Sequence, residues 1–482
     1  MTAVARLSTG ELCRAGREPV TPFQVRDADG ESIAVSRLLR VLPGKRLVGD
    51  ARWRGQRVLV KLFIDRCGKR HWARERQGLT RLHDAGLPTP DVVGAGALDG
   101  DGYFLLTGFL ENSRTLAERW ATENPTPDDA RAEDLLRPAF ALLGRLHAAG
   151  LIQTDPHFGN FLEPHGRDES RPYIHAGALL LIDGDGVERL RGDPMNNLAL
   201  LAAQLPSAWD SRVDVLLDAY TSEQTRWRPE RDALLSMIER ARKRRLADFL
   251  GKTLRDCSQF AVRHTARLFL SVVREQHEAL AALLDDPDAA IARGAPFKDG
   301  GTCTVARVEV DGRARVIKRY NLKNPYHALS RCWRPSRAWH SWLAGHRLTF
   351  HGIATPAPLA LIEERAGPLR RRAYLLSEFC PGENLLQHLS PEREPDAAEA
   401  KAITTFFSLL FRLRITHGDL KATNLLWHDQ RLVLIDLDAL VQHRSDIAFA
   451  RGWRRDRARL LRNWPADSVL CRWLDAHLPE AR

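Results

Sequence analysis

The stretch 417–424 reads HGDLKATN, and an apolar run that contains an acid, LVLIDLDAL, follows it at 432–440. Transfer of a phosphoryl group from ATP needs an acid beside the acceptor hydroxyl and oxygen ligands for Mg²⁺. Asp419 suits the first task, and Asn424 and Asp436 suit the second. A polar surface loop before an ordinary core strand is the alternative, but the loop, the spacing and the strand all agree with this chemistry. We therefore predict a catalytic loop followed by a metal-binding acid.

The composition indicates a globular protein with a basic surface. The chain has 482 residues, a formal net charge of +11, 44% hydrophobic residues and 28% charged residues. This length exceeds what one hydrophobic core usually serves, so at least two domains are expected. The seven cysteines are scattered and never in CxxC spacing, which predicts neither a disulfide framework nor a zinc site. No apolar run suits a signal peptide or a membrane span, so we expect a cytoplasmic protein.

The first half of the chain contains a candidate nucleotide-binding hairpin. Residues 41–63 predict strand, turn and strand with glycines in the turns, and Lys61 lies on the last apolar run, from which it can reach phosphates. The helical stretch that follows, HWARERQGLTRLHDAG, places Glu75 where it can pair with Lys61. The alternative for Glu75 is an ordinary solvated charge on a helix.

A second acid and amide pair occurs further along the first half. The loop TDPHFGN contains Asp155 and Asn160 with the same five-residue spacing as the acid and the amide of HGDLKATN. The strand ALLLIDGDGV then carries Asp183, just as LVLIDLDAL carries its acid. Asp155 is thus a second candidate catalytic acid, and Asn160 and Asp183 are a second candidate pair of metal ligands.

The two halves of the chain are copies of one pattern. Six segments recur in the same order, and the second copies are KDGGTCTVARVEVDGRARVIKRY, GIATPAPLALIE, AYLLSEFCPGENLLQHL, THGDLKATNLLW, LVLIDLDAL and DRARLLRNWP. Lys318 occupies the position of Lys61, and Gly300 and Gly301 lie in the turn where the first hairpin has its glycines. Such an order predicts two tandem domains.

The segments RVIKRYNLKNPYHALSRCWRPSRAWHSW, GIATPAPLALIE and HGDLKATNLLWHDQRLVLIDLDAL resemble the bacterial lipopolysaccharide kinases of the Kdo/heptose type. The form that the chain resembles is the tandem one sometimes labelled a serine/threonine protein kinase. This resemblance implies an α+β fold with two tandem protein-kinase-like domains, each with a small β-rich N-lobe and a helical C-lobe. We place the domains at 20–250 and 251–482, with a basic helix near the boundary.

The resemblance also implies a role for each candidate residue. Asp419 would be the catalytic base, Lys421 would stabilise the transferred phosphoryl group, and Lys318 would bind the phosphates of ATP. Asn424 and Asp436 would hold Mg²⁺. The corresponding residues of the first domain are the base Asp155, the phosphate-binding Lys61 with its partner Glu75, and the metal ligands Asn160 and Asp183.

Several features depart from the family pattern. The helix SRAWHSWLAGHRLTF contains no acid, so Lys318 has no evident helix partner. The first domain has Gln153 in place of His417 and His157 in place of Lys421, so its loop lacks the lysine. Neither domain has a DFG or APE motif, which argues against a regulated protein kinase of eukaryotic type.

An additional acid follows each candidate metal-binding acid by two residues. These acids, Asp185 and Asp438, are either further metal ligands or turn formers. We favour turn formers, because acids are common where a strand ends.

Three functions agree with these patterns. The first is ATP- and Mg²⁺-dependent phosphorylation of a sugar hydroxyl of the lipopolysaccharide core. Its anionic acceptor would be the core or a lipid-linked precursor, and the protein would contact the inner face of the inner membrane peripherally. The second is a protein Ser/Thr kinase, and the third is a partly degenerate pseudokinase scaffold in which one domain is inactive. The basic charge permits nucleic-acid binding, but no nucleic-acid module appears, so none is expected.

Overall fold

The computed structural model describes residues 4–127, 129–164, 178–300, 302–321, 334–367 and 369–481. The chain divides into two compact units, Met1–Arg242 and Lys243–Arg482. In each unit a mainly antiparallel sheet is followed by a mainly helical part. The predicted α+β class is confirmed.

The first unit begins with the strands of its large sheet and continues with helices and short strands. Its strands are β1 (Ala5–Arg6), β2 (Phe23–Arg26), β3 (Ser32–Leu42), β4 (Arg46–Trp53), β5 (Gln56–Phe63), β6 (Val92–Ala97), β7 (Tyr103–Gly108), β8 (Arg114–Thr115), β9 (Leu151–Gln153), β10 (Phe161–Glu163), β11 (Leu180–Leu181) and β12 (Val187–Arg189). Its helices are α1 (Thr9–Arg14), α2 (Gly68–Asp84), α3 (Leu116–Glu123), α4 (Ala130–Ala148), α5 (Met195–Ala202), α6 (Val213–Thr221) and α7 (Arg231–Lys252), the last of which crosses the boundary along the chain.

The large sheet of the first unit has the strand order β1-β2-β3-β4-β5-β7-β6. Strand β5 reads QRVLVKLF, and its run of β-branched and apolar residues suits a strand with neighbours on both sides. Lys61 on β5 lies opposite Val48 of β4 and Leu105 of β7. Because both neighbours are hydrogen-bonded to β5, the starting point of the Lys61 side chain is fixed.

The second unit repeats this succession of elements. Its strands are β13 (Phe260–His264), β14 (Leu268–Val273), β15 (Ala295–Asp299), β16 (Cys303–Val310), β17 (Arg313–Tyr320), β18 (Pro358–Ala366), β19 (Leu369–Glu378), β20 (Glu383–Asn384), β21 (Ile415–Thr416), β22 (Leu425–His428), β23 (Arg431–Leu434) and β24 (Val441–Gln442). Its helices are α8 (Ala281–Asp285), α9 (Pro287–Arg293), α10 (Arg337–Phe350), α11 (Leu385–His388), α12 (Ala397–Arg412), α13 (Asp446–Leu461) and α14 (Val469–His477).

The two large sheets share five strands in the same order, β3-β4-β5-β7-β6 in the first and β15-β16-β17-β19-β18 in the second. Lys318 on β17 lies opposite Val305 of β16 and Leu375 of β19. Both lysines therefore stand on the central strand of the shared part. The remaining strands extend opposite edges, because β2 and β1 follow β3 in the first sheet, whereas β14 and β13 follow β18 in the second.

The helical part of each unit packs around its own apolar core. Helix α4 buries Leu136, Phe140 and Leu143 at helical spacing, and α12 buries Ile403 and Phe407. Each such side chain contributes about 1.5–3 kcal/mol relative to an exposed one. In both units a short strand, β9 or β21, follows this helix and leads into the candidate catalytic loop, so the loop starts from a rigid base. Within the described residues, no helix combines the length and apolarity that crossing a membrane requires.

Candidate active sites

The structure brings Lys61 and Glu75 together in the first unit. Lys61 Nζ lies 2.5 Å from Glu75 Oε1 and donates to the carbonyl oxygen of Ile182 at 3.0 Å. The lysine side chain is almost buried and the glutamate side chain is fully buried. Because a buried charge without a partner is costly, each of these ions requires the other. The pair therefore connects helix α2 to strand β5.

Glu75 also binds the loop that carries Asp183. Its carboxylate accepts hydrogen bonds from the backbone N–H groups of Gly184 at 3.1 Å and Asp185 at 3.2 Å. Burial raises the pKa of Glu75, Lys61 opposes this shift, and nearby Asp183 adds to it. Burial also acts to raise the pKa of Asp183, but the charges of Lys61 and Arg46 oppose it and the pKa is lowered. The lowered pKa favours the ionised carboxylate, the form that a metal ligand would need.

Helix α2 packs against the loop after Asp183 through direct contact between their backbones. A Cβ atom added at Gly78 would lie 1.9 Å from the carbonyl oxygen of Gly184. A Cβ atom added at Gly184 would lie 2.3 Å from the carbonyl oxygen of Glu75. Neither position accepts a side chain unless backbone moves, so glycine is required at both for packing.

The candidate catalytic loop of the first unit is held by two amide side chains. Gln153 Nε2 donates to the carbonyl oxygen of Asp183 at 2.6 Å, and Asn160 Nδ2 donates to that of Asp155 at 3.1 Å. The Asp155 side chain is 84% exposed, and His157 Nε2 lies 4.0 Å from its Oδ2. No lysine or arginine of the described residues pairs with Asp155. The acid is therefore exposed to solvent, and the described part of the first unit places no lysine or arginine against it.

In the second unit Lys318 contacts two carboxylates. Its Nζ lies 2.5 Å from Asp436 Oδ1 and 3.0 Å from Asp438 Oδ1. Asp438 also accepts hydrogen bonds from the hydroxyl groups of Tyr320 at 2.7 Å and Ser341 at 2.9 Å. Ser341 lies on α10, the helix without an acid. Asp438 thus does more than form a turn, because it anchors the lysine to this helix as Glu75 does in the first unit.

The charges of this cluster stabilise one another. Burial acts to lower the pKa of Lys318, but Asp438 and Asp436 outweigh it and raise the pKa. Burial acts to raise the pKa of Asp438, but Lys318 outweighs it and lowers the pKa. Asp436 has φ 60° and ψ 60°, a left-handed conformation that costs a non-glycine residue about 1–3 kcal/mol and is found at functional sites.

Asp419 lies between two cations. Lys421 Nζ is 3.0 Å from Asp419 Oδ2, and Arg459 of α13 contacts Oδ1. Burial acts to raise the pKa of Asp419, but Lys421 and Arg459 outweigh it and lower the pKa. Asn424 Nδ2 donates to the carbonyl oxygen of Asp419 at 2.9 Å, which repeats the bond that Asn160 makes in the first unit.

The donor set of the second unit fits a hard divalent cation. Asn424 uses its amide nitrogen within the loop, which leaves its carbonyl oxygen, and Asp436 has a second carboxylate oxygen beside the one that contacts Lys318. Mg²⁺ prefers such oxygen donors and usually retains waters or phosphate oxygens as well. A full protein cage is not formed, since the described residues contain no group of three or more His, Cys, Asp and Glu side chains placed to hold a metal.

The candidate phosphate-binding turn of the second unit joins β15 and β16. Gly300 donates its N–H to the carbonyl oxygen of Cys303 at 3.2 Å, and its own carbonyl oxygen accepts from Asn321 at 2.9 Å. Gly301 lies outside the described residues.

A family model described as "Lipopolysaccharide kinase (Kdo/WaaP) family" matches residues 26–176 and 292–468, one region in each unit. Together the two regions make up more than half of the chain. The chain belongs to this family. The resemblance inferred from the catalytic loop is confirmed, and the chain is a member of a kinase family with two kinase-like domains in tandem.

Two solved structures that match this Kdo/WaaP family member each cover 43% of its chain. One is described as WaaP in complex with acyl carrier protein, with 23% identity, a TM-score of 0.33 and 88% of that chain covered. Another is the PknI kinase domain of Mycobacterium tuberculosis, with 16% identity, a TM-score of 0.29 and 95% of that chain covered. No curated protein matches the sequence.

Sequence reasoning missed an acid that supports the catalytic loop of this Kdo/WaaP family member. Asp456 on α13 is buried, and it accepts the backbone N–H groups of His417 at 2.6 Å and Gly418 at 3.1 Å. His417 Nε2 lies 2.9 Å from the carbonyl oxygen of Ile435. The loop is therefore fixed both to α13 and to the segment that carries the candidate metal-binding acid.

The role of Arg459 was also missed, although the sequence contained a signal for it. The tail DRARLLRNWP matches NLALLAAQLP of the first unit, which places Asn197 opposite Asp456 and Leu200 opposite Arg459. Asn197 donates to the carbonyl oxygen of Gln153 at 2.6 Å, so the supporting position is kept in both units. Because Leu200 of the first unit corresponds to Arg459 of the second, the comparison of the two tails identifies a position where the second unit has a cation and the first does not.

Proposed function

We propose that this chain transfers the γ-phosphate of ATP, with Mg²⁺, to a sugar hydroxyl of the lipopolysaccharide core. We further propose that the second unit is the main catalyst. The observation that carries the proposal is the grouping of Asp419, Asn424, Asp436 and Lys318 on one loop, one strand end and one central strand. Membership of the Kdo/WaaP family supports a kinase that acts on lipopolysaccharide.

Asp419 is the proposed general base. Its lowered pKa keeps the carboxylate ionised near neutral pH, so it can accept the proton of the acceptor hydroxyl. Lys421 and Arg459 each hold one carboxylate oxygen, which fixes the orientation of the base. The same two cations lie beside the position where negative charge develops during transfer, and this favours the transition state.

Lys318 is the proposed phosphate-binding cation. Asp436 and Asp438 hold its ammonium group from two directions, so its position is defined before nucleotide arrives. Asn424 and Asp436 would hold Mg²⁺, which neutralises charge on the β- and γ-phosphates when bound. Gly300 and Gly301 remain the candidates for close approach to the phosphates.

The first unit is proposed to bind nucleotide better than it turns it over. Its candidate nucleotide-binding residues are buried and held by hydrogen bonds: Lys61 pairs with Glu75, and Glu75 binds the loop that carries Asp183. Among the residues that the structure describes, however, Asp155 has no counterpart of the two cations that contact Asp419. Loss of transition-state charge stabilisation lowers turnover more than ground-state affinity. We therefore expect the first unit to support the second, in a role close to that of a pseudokinase.

Labelled ATP tests the acceptor directly. Purified full-length protein is incubated with Mg²⁺ and either core oligosaccharide or general protein substrates, with Asp419→Asn as the control. We expect label in the oligosaccharide, dependent on Mg²⁺ and on Asp419. Label in protein alone would establish the Ser/Thr protein kinase instead. Calorimetry that detects no ATP binding to folded protein with Mg²⁺ would leave only the scaffold function.

We also propose a cytoplasmic protein that contacts the inner face of the inner membrane peripherally. The net charge of +11 and a lipid-linked anionic acceptor support such a contact. Exposed charges are screened within about 8 Å at physiological ionic strength, so high salt should release the protein. Retention in the membrane pellet at high salt would contradict a purely electrostatic contact.

A further inference from the structure

A basic cleft of about 280 Å³ lies in the first unit, between helix α2 and the segment around β12. Its charged lining residues are Arg74, Arg81, Arg189, Arg191, Asp185 and Glu188. The arginines exceed the carboxylates by two. None of the four arginines belongs to the candidate nucleotide or acceptor residues, so the catalytic proposal leaves this cleft without a function.

Two of the arginines are already oriented by the protein. Arg74 lies 2.9 Å from the Asp185 carboxylate and donates to the Asp185 carbonyl oxygen at 3.1 Å. Arg81 donates to the carbonyl oxygen of Val187 at 2.9 Å. Residues seven apart on a helix lie on one face, so both guanidinium groups border the same cleft. Each has five N–H donors, and pre-oriented donors lose little conformational freedom when a ligand binds.

The other two arginines of the cleft form no ion pair within the described residues. Arg189 and Arg191 are exposed, and no carboxylate of the described residues pairs with either of them. The four arginines outnumber the two carboxylates of the lining, so the cleft keeps a net positive charge that a bound anion would neutralise. Guanidinium forks match phosphate oxygens in geometry, and such charge-assisted bonds are stronger than neutral ones.

The size and charge of the cleft select a class of ligand. Ligand pockets for drug-sized molecules usually exceed about 300 Å³, so this cleft suits a single head group. A phosphate monoester carries about −1.5 to −2 charges at neutral pH, which matches the excess of two arginines. We propose that the cleft binds a phosphate monoester group.

The cleft is adjacent to the candidate nucleotide-binding residues of the first unit. The N–H of Asp185 donates to Glu75 Oε2 at 3.2 Å, and Glu75 pairs with Lys61. A ligand that bridges Arg74 and Arg189 would hold α2 against the loop after Asp183. Occupation of the cleft would therefore stabilise the segment that positions Lys61.

Calorimetry on the full chain, at constant ionic strength, measures binding of inorganic phosphate and of glucose 1-phosphate. The test variant is Arg189→Gln/Arg191→Gln, since both side chains are exposed and no carboxylate in the described part of the chain pairs with them. The matched control is Arg52→Gln/Arg137→Gln, which removes the same charge from exposed positions outside the cleft. We expect saturable binding that is at least about tenfold weaker in the test variant, a loss of about 1.4 kcal/mol. The control should stay within about twofold of wild type, because screening reduces distant charge effects.

A second arm distinguishes the sources of the phosphate group. Vesicles with phosphatidic acid present a phosphate monoester, and vesicles with phosphatidylglycerol present a diester of lower charge. Saturable binding of the soluble phosphates supports a soluble ligand, whereas selective binding of phosphatidic acid vesicles that needs Arg189 and Arg191 supports a lipid head group. Unchanged affinity in the test variant, equal weakening in both double variants, or no saturable binding in either arm overturns the proposal.

Discussion

The two candidate catalytic loops share an acid and an amide but differ in the cations around the acid. Asp419 contacts Lys421 and Arg459, whereas the 84% exposed side chain of Asp155 has only a histidine near it among the described residues. The backbone of both loops is nevertheless held in the same way, by a residue that bonds to a carbonyl oxygen of the following strand end. That residue is Gln153 in one unit and His417 in the other. Each loop is therefore tied to the segment after it by a hydrogen bond that does not involve the acid, which leaves the charged positions around the acid free to differ.

The candidate phosphate-binding lysines also differ between the two units, and here the first unit has the more buried arrangement. Lys61 pairs with Glu75 on a helix and is nearly buried, whereas Lys318 pairs with Asp436 and Asp438 after a strand. The first unit thus has the more buried lysine, Lys61, whereas the second unit has the acid with two adjacent cations, Asp419. Four predictions test this contrast, in order of decreasing expected effect.

The largest effect is expected from Asp419→Asn. This change removes the proton acceptor with little change of shape and should lower turnover by roughly 10²–10⁴-fold, the range for loss of a general base. Asp155→Asn should lower turnover by less than about tenfold, because no lysine or arginine of the described residues lies beside Asp155 to stabilise the charge that develops during transfer. Steady-state kinetics of both variants on the same acceptor provides the measurement. A greater loss from Asp155→Asn would reverse the assignment of the main catalyst.

Arg459→Leu converts the second unit to the residue of the first unit at that position. We expect turnover to fall by about 10²-fold, as for other charge-stabilising donors, with little change in ATP affinity. Removal of Arg459 also raises the pKa of Asp419, so the acidic limb of the pH–rate profile should move to higher pH. Arg455→Leu is the matched control, because Arg455 is an exposed arginine of the same helix. An equal loss in both variants would show a general charge effect.

Glu75→Gln and Asp438→Asn test the anchoring of the two lysines. Lys61 loses its carboxylate partner at 2.5 Å, whereas Lys318 keeps Asp436. We therefore expect about tenfold weaker nucleotide binding in the first unit and a smaller loss in the second, where tenfold corresponds to about 1.4 kcal/mol. Calorimetry of each variant with ATP and Mg²⁺ resolves the two effects. The contrast would fail if Asp438→Asn had the larger effect.

Gly78→Ala should change stability more than catalysis. The added methyl group would lie 1.9 Å from the carbonyl oxygen of Gly184, and such overpacking costs about 1–3 kcal/mol. Gly251→Ala is the control, since this helical glycine has no atom within 4 Å of its Cβ position and should gain up to about 1 kcal/mol from helix propensity. Urea unfolding of both variants measures the difference. Equal stabilities would show that α2 can shift away from the loop at little cost.

The fold class, the repeated order of elements and the family could all be predicted from the amino-acid sequence. Strand patterns, turn glycines and the acid-amide spacing are local features, and the same local features in two halves of one chain reinforce each other. For the same reason Lys61 and Lys318 could be assigned to strands from their apolar neighbours alone, whereas the central place of these strands came from the structure. The catalytic and metal-binding roles of the loop residues remain predictions.

The pairing of charged side chains, by contrast, became visible only in the folded protein. Asp438 and Lys318 are far apart in the sequence, as are Arg459 and Asp419, and no local pattern reports such contacts. The basic cleft is likewise formed by a helix and a strand that are separated along the chain. The physical reason is that an ion pair depends on distance and burial in the folded state, and the packing of non-adjacent elements sets both quantities.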